Sequence, residues 1–211
     1  DGMLRMLMWN ADGSRGAMCG NGLRCLARFA ESNGYTSGSS FAIMTDAGPR
    51  EVELLTTGSG DVLAQIGQVT CKPRRSIEVS RHRYDFICGA AGNPHAVMFV
   101  DDVETVEVAR IGTALQAHAA FPDGVNVEFV QTLSDNRLKQ RTFERGTGET
   151  LACGTGAAFA AVAARQIGHV HGHLTYVVLR GGTLSVVGEG PSLAIVGPVR
   201  SVFIGEVNLP G

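Results

Sequence analysis

Short apolar runs broken by glycine-, proline- and asparagine-rich turns dominate this chain. Residues 41–45, 51–57 and 61–67 are three such runs, separated by Ala47-Gly48-Pro49 and Gly58-Ser59-Gly60, the pattern of an antiparallel meander. Further strands are expected over 84–90, 95–101, 125–131, 138–144, 174–180, 183–187, 192–196 and 199–207. Helical periodicity stands out in three places. Residues 22–33 put Leu23, Leu26, Ala27 and Ala30 on one face and stop at Asn33-Gly34. Residues 103–118 carry Val106, Ile111 and Leu115 among charges, the mark of a surface helix. Residues 155–167 are apolar all round and stop at Gly168, which predicts a helix buried on every side. A buried helix among many strands implies sheet wrapped around it.

An internal repeat changes the picture more than any single element. Met18-Cys19-Gly20-Asn21-Gly22 opens the first helix, and Ala152-Cys153-Gly154-Thr155-Gly156 opens the last. Each reads small-or-Met, Cys, Gly, polar, Gly, then helix, and the second copy begins 134 positions after the first. Nine residues before each cysteine lies a polar side chain at a strand end, Asn10 and Glu144. The chain therefore reads as two related halves, 1–77 and 78–205. Gly92-Asn93-Pro94-His95 precedes Cys153 by about sixty residues, whereas its counterpart in the first half would fall before residue 1. The first half is expected to lack its opening strands and to be rejoined by the end of the chain.

Composition narrows the class. Of 211 residues 44% are hydrophobic and 18% charged, and 18 Lys+Arg against 20 Asp+Glu leave a net charge of −2. Nothing here grips nucleic acid or anionic lipid. The longest apolar run, eight residues from Ala157 to Ala164, is far short of the roughly 20 a membrane helix needs. Five cysteines without a CxxC pair argue against a disulfide framework or thiolate zinc site and for a reducing, cytoplasmic setting. Cys25, Cys71 and Cys88 lack flanking glycines and read as small buried hydrophobes. His169, His171 and His173 alternate without an acidic or cysteine partner and read as a solvated loop, so no metal site is expected.

A cysteine at a helix N-terminus faces unpaired N–H groups and a partial charge of about +0.5, both of which favour the thiolate. Flanking glycines let the backbone approach a ligand, and the free N–H groups seat an anion such as a carboxylate. Two such elements in related halves place two thiols across one cleft. An acid and a base on opposite faces of one carbon are what stereochemical inversion requires.

The ordered motifs Asn10-Ala11-Asp12-Gly13-Ser14, Met18 to Cys25, Gly92 to His95, Phe121 to Phe129, Glu144-Arg145-Gly146 and Ala152 to Gly156 resemble the diaminopimelate epimerase family. The resemblance implies an α/β (α+β) fold of two pseudo-symmetric halves, each a barrel-like, mostly antiparallel sheet around a central helix. It implies interconversion of LL- and meso-2,6-diaminopimelate without cofactor, pyridoxal phosphate or metal. By it Cys19 and Cys153 are the acid–base pair, with His95 and Glu144 as polar support beside them. Gly20, Asn21, Gly154 and Thr155 would hold the α-carboxylate; Asn10, Asn93, Asn126 and Arg145 would grip the distal amino-acid head. The expected partner is a small amino-acid substrate, and a homodimer is carried as an expectation. Two other readings stand beside it: a proline racemase-like enzyme acting on another amino acid, and a non-catalytic fragment. Asn21 argues against the former, whose family usually has His there.

Overall fold

The computed structural model describes residues 3–9, 13, 15–56, 60–79, 81–189 and 193–207. A two-stranded ribbon of β1 (Met8–Trp9) and β2 (Arg15–Gly16) leads into helix α1 (Gly20–Ser32). The meander follows as β3 (Ser40–Thr45), β4 (Gly48–Leu54) and β5 (Asp61–Gly67). Next come β6 (Thr70–Cys71), β7 (Arg75–Val79), β8 (His82–Ala90), β9 (Pro94–Phe99) and helix α2 (Val108–Gln116). The hairpin β10 (Asn126–Ser134) and β11 (Arg137–Glu144), then β12 (Gly148–Thr150), leads to helix α3 (Gly154–Gln166). Strands β13 (Leu174–Leu179), β14 (Gly182–Val187) and β15 (Leu193–Pro198) complete the described sheet.

Eleven of these strands run side by side in the order β3-β4-β5-β15-β14-β13-β11-β10-β9-β8-β6, with β12 added on β11 and β7 on β8. Pairings along it are antiparallel except β9–β10 and β11–β13. The late strand β15 enters beside β5, so one sheet joins the early meander to the later strands. Among the described residues the path ends at β3 and β6, so the sheet wraps α3 without closing into a ring. The fold is mixed α+β, mostly sheet with few helices.

Helix α3 is enclosed as its sequence predicts: Gly154 to Ala161, Ala163 and Ala164 are all buried. Its many alanines let strands approach closely, and Phe159, fully buried, contributes about 1.5–3 kcal/mol by leaving water. Strict alternation on β9, β10 and β11 divides two cores. Val97 and Val130 face α3 in one cluster, while Ala96, Val127 and Phe129 face α2 in the other. Helix α1 ends where expected, with Asn33 N–H bonded to Phe29 and Tyr35 N–H to Ala30 across Gly34 at φ 72°.

Three expectations are corrected. The 103–118 helix is a 3-10 turn, Val103–Thr105, followed by the shorter α2. The carbonyls of Val103, Glu104 and Val106 that would continue it accept instead from the Arg141 guanidinium. Residues 199–207 form no strand; Val202, Phe203, Ile204 and Val207 are 80–96% exposed, with no strand edge paired to them among the described residues. Cys25 is exposed on the outer face of α1, not buried. No described helix is long and apolar enough to cross a membrane.

Candidate active site

Cys19 and Cys153 are the N-cap residues of α1 and α3. Both have extended backbone, φ −133° and ψ 118° for Cys19, φ −124° and ψ 112° for Cys153, and both helices are 13 residues long. The sequence repeat is thus a repeat of local geometry. Cys19 Sγ accepts from the Gly22 N–H at 3.5 Å, and Cys153 Sγ lies 3.5 Å from Thr155 Oγ1. The two helices meet head to head. A Cβ placed on Gly154 would stand 3.7 Å from the Gly20 Cα, and both glycines press on the Ile195 side chain beneath them. Any larger residue would push the N-termini apart.

Both cysteines line one cavity of about 230 Å³, together with Gly20, Asn21, Asn93, Asn126, Glu144, Arg145, Gly154 and Thr155. A second hollow of about 230 Å³ shares Met8, Met18, Asn93, Arg145 and Thr155 with it and extends the cleft toward Arg15 and Arg50. A larger cavity of about 370 Å³ lies between Arg74, Phe99 and His169, but it holds neither cysteine and no helix N-terminus. Convergent polar groups and two helix dipoles mark the smaller cleft as the site.

Local structure sets each side chain. Arg145 sits in the tight β11–β12 turn, where Gly146 and Gly148 take φ 74° and 97°. Its Nη1 donates to the Asp123 carbonyl and its N–H to Asn126 Oδ1. Asn126 Nδ2 donates to the Pro94 carbonyl, so its carboxamide also ties β9, β10 and β11 together at the cleft. Glu144 Oε1 accepts from Thr150 at 2.6 Å. On the α1 side, Arg24 is buried and donates to Asn21 Oδ1 at 3.0 Å and to the Gly20 carbonyl. That oxygen is engaged, and among the described residues the Asn21 NH2 has no hydrogen-bond partner.

Electrostatics separates Cys153 from an ordinary thiol. Burial pushes its pKa well above the usual value, and the carboxylates of Glu144 and Glu128 push the same way. The Thr155 hydroxyl and Gly156 amide act in the opposite direction without overcoming them. Cys153 therefore rests as the thiol at neutral pH.

Most sequence-predicted residues meet at this cleft. His95 is the exception: it is 1% exposed and stands behind the wall, with Nδ1 2.8 Å from Glu128 and Nε2 2.9 Å from Asn93. Asn10 lies outside the described residues. Sequence reasoning missed Met8, Met18, Arg24 and Glu128. For Glu128 the available signal was a charge in Asn126-Val127-Glu128-Phe129-Val130, a strand otherwise apolar on both faces after Asn126. Three or more His, Cys, Asp or Glu side chains grouped to hold a metal are not found among the described residues.

Residues 1–72 and 88–200 match the diaminopimelate epimerase family. A diaminopimelate epimerase from Leptospira biflexa serovar Patoc (strain Patoc 1 / Ames) is 39% identical over 99% of this chain and 80% of its own length. The chain belongs to the diaminopimelate epimerase family. Its fold recurs more widely. A hydroxyproline epimerase from Agrobacterium vitis aligns with a TM-score of 0.74 at 16% identity, over 92% of this chain and 68% of that one. A probable proline racemase from Agrobacterium radiobacter K84 aligns with a TM-score of 0.73 at 15% identity, over 98% and 72%. Those two share the architecture, whereas the family match covers the motifs around both cysteines.

Proposed function

We propose that this chain interconverts LL- and meso-2,6-diaminopimelate without a cofactor, in the cytoplasm, through a two-thiol proton exchange. The observation that carries it is the pair of N-cap cysteines, Cys19 and Cys153, on helices that meet at one cavity. The thiolate of one cysteine removes the α-hydrogen from one face and becomes a thiol. The thiol of the other returns a proton to the opposite face and becomes a thiolate. Free N–H groups at Gly20-Asn21 and Gly154-Thr155 bind the α-carboxylate, where two helix dipoles stabilise charge as the carbanion forms. Asn93, Asn126 and Arg145 hold the distal head, the guanidinium meeting its carboxylate bidentately. Glu144 lines the cleft beside them and supports the thiol chemistry.

The test is direct. Purified chain given LL-diaminopimelate is expected to form the meso isomer, followed by chiral chromatography, and to approach the same mixture from either side. A folded chain that leaves the substrate unchanged refutes this reading. Inversion of proline instead would select the proline racemase-like alternative.

A further inference from the structure

Glu128 is fully buried, and only one of its carboxylate oxygens has a hydrogen-bond partner. Oε1 accepts from His95 Nδ1 at 2.8 Å, and Oε2 is buried and unpartnered. A charge is costly to hold in such a place unless it is engaged, and neighbouring positions on β10 are valine and phenylalanine. Helix α3 also makes room for it: a Cβ on Gly156 would stand 2.5 Å from Oε1 and 3.1 Å from Cδ. The glycine and the carboxylate fit each other.

The second ring nitrogen points to a use. His95 stacks on Phe159 of α3, with ring centroids 5.4 Å apart and 19° between planes, which fixes the imidazole. Its Nε2 is 2.9 Å from Asn93 Oδ1, and Asn93 lines the cleft. Each ring nitrogen faces an oxygen, Glu128 Oε1 on one side and Asn93 Oδ1 on the other, and a ring with hydrogen on both nitrogens satisfies the two at once. With its oxygen taken from behind, the Asn93 carboxamide turns its NH2 to the cleft. The opposite arrangement, a neutral ring accepting from Asn93, would turn the carboxamide oxygen outward, suited to an ammonium group.

We propose that Glu128 is a positioning residue: its carboxylate keeps His95 doubly protonated, and the ring locks Asn93 with its NH2 directed at a substrate carboxylate. The inference rests on the reading above, in which Asn93 contacts the amino-acid head. Glu128 touches no substrate; it acts through His95 and Asn93.

The experiment pairs nitrogen NMR with kinetics. In the wild-type chain labelled with 15N-histidine, both His95 ring nitrogens are expected to be protonated at pH 7, assigned by comparison with His95→Asn. In Glu128→Gln the ring is expected to lose one proton. KM for diaminopimelate is expected to rise about 10- to 100-fold, the effect of losing a hydrogen bond to a charged group, with a smaller change in kcat. Gly156→Ala, which displaces the carboxylate without neutralising it, is expected to shift the ring signals and raise KM in the same sense. A wild-type ring with hydrogen on Nδ1 alone overturns the proposal, as does an unchanged KM in folded Glu128→Gln. If that variant does not fold, the wild-type spectrum still decides the ring's state. Should the wild-type chain not turn over diaminopimelate, the catalytic reading fails, while the spectra still test the Glu128–His95 relationship.

Discussion

Gly20 and Gly154 face each other at the junction of α1 and α3, each packed over the Cδ1 of Ile195. A methyl group on Gly20 would stand 2.7 Å from that carbon, and one on Gly154 would stand 2.9 Å from it. Alanine usually favours a helix over glycine, so the sign here is set by crowding. Gly154→Ala is expected to destabilise the fold by about 1–3 kcal/mol, the range for overpacked cores. Ile195→Val removes the Cδ1 and is expected to recover part of that loss in the double variant. Urea unfolding of the four proteins measures it. Additive losses would mean that the contact does not limit the approach of the helices.

Cys19→Ala and Cys153→Ala are each expected to lower kcat by roughly 10²- to 10⁴-fold or more, the usual weight of a general acid or base. Far-UV circular dichroism and melting temperature should stay close to wild type, because each cysteine is the N-cap residue of a helix whose other contacts persist. A single variant retaining near wild-type turnover would show that one thiol suffices.

The cysteine repeat was legible because capping is local: Cys, Gly, polar, Gly fixes an N-terminus whatever surrounds it. The same holds for Asn33-Gly34 at the end of α1 and for the all-apolar face of α3. Strand order was not legible, because the place of β15 beside β5 depends on partners more than a hundred residues apart in the chain. Residues 199–207 show the limit from the other side, since a short apolar run without a paired edge forms no ladder. Strand β7 was missed because charges in Arg75-Ser76-Ile77-Glu78-Val79 hide the two inward residues, Ile77 and Val79. In the site, the residues that face the cleft carried recognisable motifs. Arg24 and Glu128 act from behind on Asn21 and, through His95, on Asn93; the charge of Glu128 stands out in its strand, but only the folded packing shows what either residue engages.

Cys71 offers a pH test of burial itself. Desolvation pushes its thiol up to about 11 from an ordinary value near 9. The folded state therefore favours the protonated form. That contribution to stability is complete below about pH 9 and is lost as pH rises through about 11. Wild type should lose stability faster than Cys71→Ser across this window, because serine has no proton to release there. Denaturant midpoints at pH 8, 9, 10 and 11 decide it. Parallel curves for the two proteins would show that Cys71 has an ordinary thiol pKa in the fold.

The two thiols also dictate where the proton comes from. The α-hydrogen of an amino acid is very weakly acidic, so a thiolate removes it only if the carbanion is stabilised as it forms. Two helix N-termini at the α-carboxylate supply that stabilisation, as dipoles already oriented before the charge develops. The group that takes the hydrogen and the group that returns one stand on opposite faces, so the hydrogen removed is not the one delivered. In deuterated water each product molecule should carry deuterium at the inverted carbon. Recovered substrate should stay largely unlabelled early in the reaction, because the thiol holding the abstracted proton exchanges slowly while the cleft is occupied. A single-base enzyme would return some of the original hydrogen to the product and would label substrate and product together. Mass spectrometry of both isomers at low conversion separates the two cases. Substantial unlabelled product at that stage would contradict a two-thiol mechanism even though both cysteines line the same cavity.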